Sequence, residues 1–101
     1  MTLAPSEAAI QAQIVRFLRL TGWTVWEMQL GSAGKGSVYC TRGIPDLYVF
    51  RAGQPGVWLE VKRPKLGRLS PHQRERHAEA THAGVPVHVI TSVEEALEVL
   101  K

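Results

Sequence analysis

Asp46, Glu60 and Lys62 are residues whose types and spacing could do chemistry. Asp46 follows Pro45, and fourteen residues later comes the run Glu60-Val61-Lys62. In a strand, successive side chains point to opposite faces, so Glu60 and Lys62 share one. If the two segments pair as a hairpin with Arg51 opposite Val57, then Asp46 lies opposite Lys62 and Tyr48 opposite Glu60. All three chemistry-bearing residues then stand on one face. A two-residue change of register keeps that result, and a one-residue change destroys it. Diagonal cross-strand neighbours lie about 7–8 Å apart, near enough for two carboxylates to converge on one ion. Carboxylates and an ammonium are costly to bury unpaired, and a divalent cation would neutralise the acids. Hard oxygen donors, in a chain whose single cysteine is Cys40, favour Mg²⁺ or Mn²⁺ over Zn²⁺. The carbonyl of Val61 is a further candidate ligand. Such an ion would activate water and stabilise charge on a phosphate oxygen. Lys62 would orient or deprotonate the attacking water, or stabilise the transition state.

The elements that must position these residues are legible in the pattern around them. Pro5 breaks the chain and Ser6 caps a first helix running to about Thr21, with Ile10, Ile14, Phe17 and Leu18 on one apolar face. Gly22 ends it. Residues 23–30 predict a strand on the strength of Trp23, Val25 and Trp26. Strands over Asp46–Arg51 and Val57–Arg63 flank the turn segment Ala52-Gly53-Gln54-Pro55-Gly56, the pattern of an antiparallel hairpin. A basic loop, Pro64–Leu69, leads to Ser70, which with Pro71 and Gln73 spells the capping-box start of a second helix that Gly84 stops. A fourth strand over Pro86–Thr91 follows. Ser92 and Glu95 predict another capping box, for a final helix containing Val93, Ala96, Leu97 and Leu100. The order is α-β-β-β-α-β-α, an α/β fold with helices flanking a central mixed sheet.

Composition bounds the rest. At 101 residues the chain predicts one domain over 1–101, and 45% hydrophobic with 21% charged residues is ordinary for a globular protein. One cysteine excludes an intramolecular disulfide framework and a multi-cysteine zinc site. No signal-like N-terminal run and no apolar stretch of about 18 residues is present, so the expectation is a cytoplasmic protein, or a viral one acting in the host cytoplasm, with no membrane partner. The net charge of +3 is unevenly spread: residues 31–76 hold nine basic and three acidic groups. That segment forms a basic frame around Asp46 and Glu60.

Gly43-Ile44-Pro45-Asp46-Leu47, Trp58-Leu59-Glu60-Val61-Lys62 and Ser70-Pro71-His72-Gln73, in this order and with a helical Glu7 upstream, resemble the VRR-NUC family. These are virus-type replication-repair nucleases within the PD-(D/E)XK superfamily, and the element order resembles that superfamily's restriction-endonuclease-like core. The resemblance runs from about Ser6 to Leu97. It implies Mg²⁺- or Mn²⁺-dependent hydrolysis of DNA phosphodiesters, as an endonuclease in replication or repair. By position Asp46 and Glu60 match the metal-binding acids and Lys62 the catalytic lysine. Glu7 matches the glutamate that joins the metal site directly or through water, and Gln73 the glutamine that supports it. The resemblance also implies a homodimer, with DNA and possible replication or repair proteins as partners. Two alternatives share these residues: a Holliday-junction-type structure-specific resolvase, and a DNA-binding accessory module that needs a partner to cut.

Lys35, Arg42, Arg63, Lys65 and Arg68 are candidate phosphate contacts. The loop Gly31–Ser37 lacks the spacing of a phosphate-binding loop and reads better as a basic loop along a DNA backbone. His72, His77 and His82 recur every five residues and should fan around their helix rather than gather at a metal. Trp23, Trp26 and Trp58 read as core or interface residues rather than base-stacking platforms. Cys40 reads as a small buried or loop residue.

Overall fold

A computed structural model describes residues 5–28 and 41–101. Predictions for Leu30, the loop Gly31–Ser37 with Lys35, and Cys40 lie outside them. Ser6 accepts from the Ala9 amide at 3.0 Å and opens α1, Glu7–Leu20, with Thr21 as its C-cap. The chain then runs through β1 (Thr24–Glu27), β2 (Leu47–Arg51), β3 (Gln54–Val61), α2 (Pro71–His82), β4 (Val87–Ile90) and α3 (Val93–Val99). The strands form one sheet in the order β1-β2-β3-β4. The first two pairings are antiparallel and β3–β4 is parallel, so the sheet is mixed. Among the described residues no helix is long and apolar enough to cross a membrane.

The two faces of the sheet differ in kind. Val25, Leu47, Val49, Leu59, Val61 and Ile90 form a core with Ile10, Ile14, Val15 and Leu18 of α1 and Ala96 of α3. Burying each larger side chain of this set is worth about 1.5–3 kcal/mol. Residues of opposite parity, among them Trp26, Tyr48, Trp58 and Glu60, face the other way, where α2 lies. None of the residues of α2 is fully buried. The helix is held instead by its ends and by polar contacts. Ser70 accepts from the Gln73 amide at 3.1 Å while Gln73 Oε1 accepts from the Ser70 amide at 2.8 Å, the reciprocal capping box the sequence spells.

The hairpin differs from expectation in its turn. Ala52 and Gly53 alone make the bend, with Gly53 at φ +81°, and Gln54, Pro55 and Gly56 already belong to β3. Pro55 is tolerated because β4 pairs with β3 only from Trp58 onward, so its missing N–H interrupts no ladder there. Arg51 therefore faces Gln54 rather than Val57, and Leu47, Tyr48 and Val49 face Leu59, Trp58 and Val57, with an irregularity between Val49 and Arg51. From Leu47 to Val49 the register is shifted by two residues from the predicted one. This is the change that preserves the face of the side chains there, and continued one step it sets Asp46 opposite Glu60 instead of Lys62.

Two smaller corrections follow. β4 is shorter than the predicted Pro86–Thr91 by a residue at each end. At α3, Ser92 accepts from the Glu95 amide at 3.1 Å, but the Glu95 carboxylate reaches the Thr91 amide and hydroxyl instead of closing the box on Ser92.

Candidate active site

Asp46 stands just before β2 and is fixed from two sides. Its carbonyl accepts from the Met28 amide at 2.8 Å, carrying the β1–β2 ladder one step further, and its Oδ2 accepts from the Val61 amide at 2.7 Å. The segment before it is pressed onto α2. Gly43, at φ +85°, lies so close to the first turn of α2 that a Cβ there would sit 2.2 Å from the His72 carbonyl oxygen. Only a glycine fits both that backbone angle and that approach. Lys62 follows β3 directly, and its amide donates to the Ile90 carbonyl at 3.0 Å, extending the parallel ladder.

Glu60 has 0% and Lys62 8% of its surface exposed, and they are the buried charged residues of the described chain. Two side chains from α2 reach down to Glu60. Gln73 Nε2 donates to its Oε2 at 3.3 Å, and His77 Nε2 lies 3.0 Å from its Oε1. The carboxyl of Glu60 is pushed up to about 9, first by burial, then by the hydrogen bond and charge of Asp46, with Glu7 adding a little and Lys62 opposing. His77 is pushed down by burial and by the Lys62 charge, against a partial pull from Asp46. Burial acts on both partners of this contact in the same sense, disfavouring the charged form of Glu60 and of His77.

The structure thus brings Asp46, Glu60, Lys62 and Gln73 together, with Val61 contributing its amide. Glu7 joins them through Lys62, whose Nζ is 3.9 Å from Glu7 Oε1. Among the described residues no three of His, Cys, Asp and Glu gather closely enough to form a metal cluster by themselves. The donors at hand are the Asp46–Glu60 pair and nearby backbone oxygens. That set suits a hard cation which keeps several waters, as Mg²⁺ does. Two neighbouring carboxyls, of which the buried one is driven toward its protonated form partly by the charge of the other, are also an electrostatic situation that a divalent cation relieves.

Of the candidate phosphate contacts, Arg42, Lys65 and Arg68 are exposed and Arg63 is half-buried. Arg68 spends Nη1 on its own loop, donating to the carbonyls of Lys65 at 2.9 Å and Gly67 at 3.1 Å. His77 is the residue that sequence reasoning missed. The three histidines do fan around α2, yet His77 sits four residues after Gln73 and so shares its helix face. That i,i+4 relation to Gln73 was the available signal.

A mixed four-stranded sheet with flanking helices and an acid pair beside a buried lysine is the architecture of a nuclease-type domain. The chain belongs to the VRR-NUC family, whose domain model matches residues 6–94. A solved structure described as a VRR_NUC domain is similar at 20% identity and TM-score 0.70, covering 95% of this chain and 96% of that one. A second, described as a VRR_NUC domain protein, is similar at 17% identity and TM-score 0.76, covering 97% of this chain and 87% of that one. No curated protein matches.

Proposed function

We propose that the chain is a metal-dependent deoxyribonuclease that hydrolyses DNA phosphodiester bonds with Mg²⁺ or Mn²⁺, as an endonuclease in replication or repair. The observation that carries this reading is the meeting of Asp46 and Glu60 on one sheet face with the buried Lys62 two residues on, in a chain of a nuclease family. Asp46, Glu60 and the Val61 carbonyl would hold the ion, with Glu7 reaching it through water. When bound, the ion supplies Lewis acidity, lowering the pKa of water and offsetting charge on a phosphoryl oxygen.

The chain's own residues do the remaining work. Lys62 aims an ammonium from a nearly dry position, where its hydrogen bonds to the attacking water or to a non-bridging phosphate oxygen are stronger than in solvent. Gln73, itself fixed by Ser70, holds the Glu60 carboxyl in one orientation. Arg42, Arg63, Lys65 and, with its remaining donors, Arg68 would hold the DNA backbone in register, and Lys35 belongs to the same basic frame. A homodimer would present two acid pairs to two strands.

The test is cleavage of linear, flap and four-way DNA with Mg²⁺, Mn²⁺ or EDTA. Wild-type protein should cut with either metal and not in EDTA. Asp46→Ala and Lys62→Ala should each lose at least about a hundredfold in rate. Folded variants, checked by circular dichroism, that cut as fast as wild type would overturn these assignments.

A further inference from the structure

The sheet face that carries the acid pair continues along the strands into a row of aromatic rings. Trp26, Tyr48 and Trp58 stand on three adjacent strands, with successive centroids 5.9 and 4.8 Å apart. Sequence patterning places Trp58 in a core or interface, but the ring is half-buried and lines a groove of about 330 Å³. Ile44, Pro45, Val85, Val87 and Arg76 supply other walls. The groove adjoins the acids. Pro45 immediately precedes Asp46, and Trp58 lies two residues from Glu60 on the same face, about 7 Å along the strand.

Size and charge narrow the occupant. The volume is near the lower limit of small-molecule sites, about 300 Å³, which suits one flat ring system. Arg76 brings a cation, but Glu79 Oε2 accepts from its Nη2 at 3.0 Å and Glu75 accepts from the same nitrogen. Two carboxylates around one guanidinium leave no surplus positive charge to attract a phosphate. Apolar walls, an indole and an Arg76–Glu79 ion pair in the lining favour an uncharged aromatic ligand. A nucleotide whose phosphate lies at Asp46 and Glu60 has one such part, its base.

We propose that this groove receives an unpaired nucleobase of the strand being cut, stacked on Trp58. The proposal rests on the nuclease reading of the acid pair and deepens it. A base within a duplex reaches such a groove only after extrusion, at the cost of unstacking and unpairing. The site therefore selects single-stranded, flapped or frayed DNA.

The experiment compares a fluorescent dT12 with a twelve-residue abasic oligonucleotide carrying the same phosphates, by anisotropy in EDTA. Wild-type protein should bind dT12 at least about tenfold more tightly, in line with base–aromatic stacking. Val85→Phe fills the groove from its exposed rim, avoiding the risk that Trp58→Ala unfolds the sheet. It should abolish the preference and leave the abasic affinity unchanged. Equal affinities for the wild type, a preference that survives in Val85→Phe, or binding to neither oligonucleotide would overturn the groove. Cleavage is assayed in parallel with Mg²⁺ and Mn²⁺. Cutting without a base preference removes the groove and leaves the nuclease reading. A preference abolished by Val85→Phe, with no cutting under either metal, supports the base site and removes the nuclease reading instead.

Discussion

At Glu60 the chain places a carboxyl where burial, the Asp46 charge and a shared hydrogen bond all favour the protonated form. The unfolded chain releases this proton near 4.5, while the folded protein keeps it until about 9. Between those values the folded state binds more protons, so stability falls as pH rises, by at most about 1.4 kcal/mol per unit. Glu60→Gln keeps the size of the side chain and removes its titration. In urea melts of the metal-free protein, the wild type should lose stability relative to Glu60→Gln steadily from about pH 5 to pH 9. Parallel profiles would show that Glu60 is ionised throughout. Glu60 and Lys62 were legible as sharing a face because alternation along one strand fixes it, whereas Asp46 joins that face only through the hairpin register, which the sequence left open by two residues. The partner that dries Glu60 from above was not legible. Which side of α2 points at the sheet depends on tertiary docking, and only that docking turns His77 toward the acid.

At the scale of elements, the helices and the hairpin show why some boundaries were readable. Ser6, Ser70 and Ser92 each cap a helix through a local hydrogen bond that three or four residues encode. The hairpin register was less legible. Gly-Gln-Pro-Gly has the composition of a turn, but a two-residue bend at Ala52-Gly53 suffices, and Pro55 fits a strand whose second neighbour has not yet joined. The polar helix α2 has an energetic consequence of its own. With no fully buried side chain, it depends on its caps and on Glu60 for its position. Ser70→Ala should lower stability by about 1 kcal/mol. It should also speed amide exchange in α2 while leaving the β2–β3 ladder protected, as read by hydrogen-exchange mass spectrometry. Uniform loss of protection would show that α2 is not a separate unit of stability.

Across the whole molecule the small net charge conceals a division of labour. Residues 1–30 carry two basic and two acidic groups, residues 31–76 carry the basic excess, and residues 77–101 carry one basic and four acidic groups. Phosphates should therefore be drawn to the middle of the chain, and DNA affinity should fall linearly with the logarithm of salt concentration. Arg42→Gln with Lys65→Gln should flatten that slope by about two, measured by anisotropy between 50 and 200 mM salt. A slope unchanged by both substitutions would place the contacts elsewhere.

The parallel pairing of β3 with β4 has a further consequence. Parallel neighbours cannot be joined by a hairpin, so the chain must cross one face of the sheet to return. The segment that crosses is α2, and it passes over Glu60. The roof of the acid pair is thus the connection itself rather than an added cover. A short connection, residues 83–86, ties the end of α2 to β4. On the nuclease reading proposed above, a DNA strand would have to reach the acids past this crossing, so the topology of the chain constrains the direction of approach.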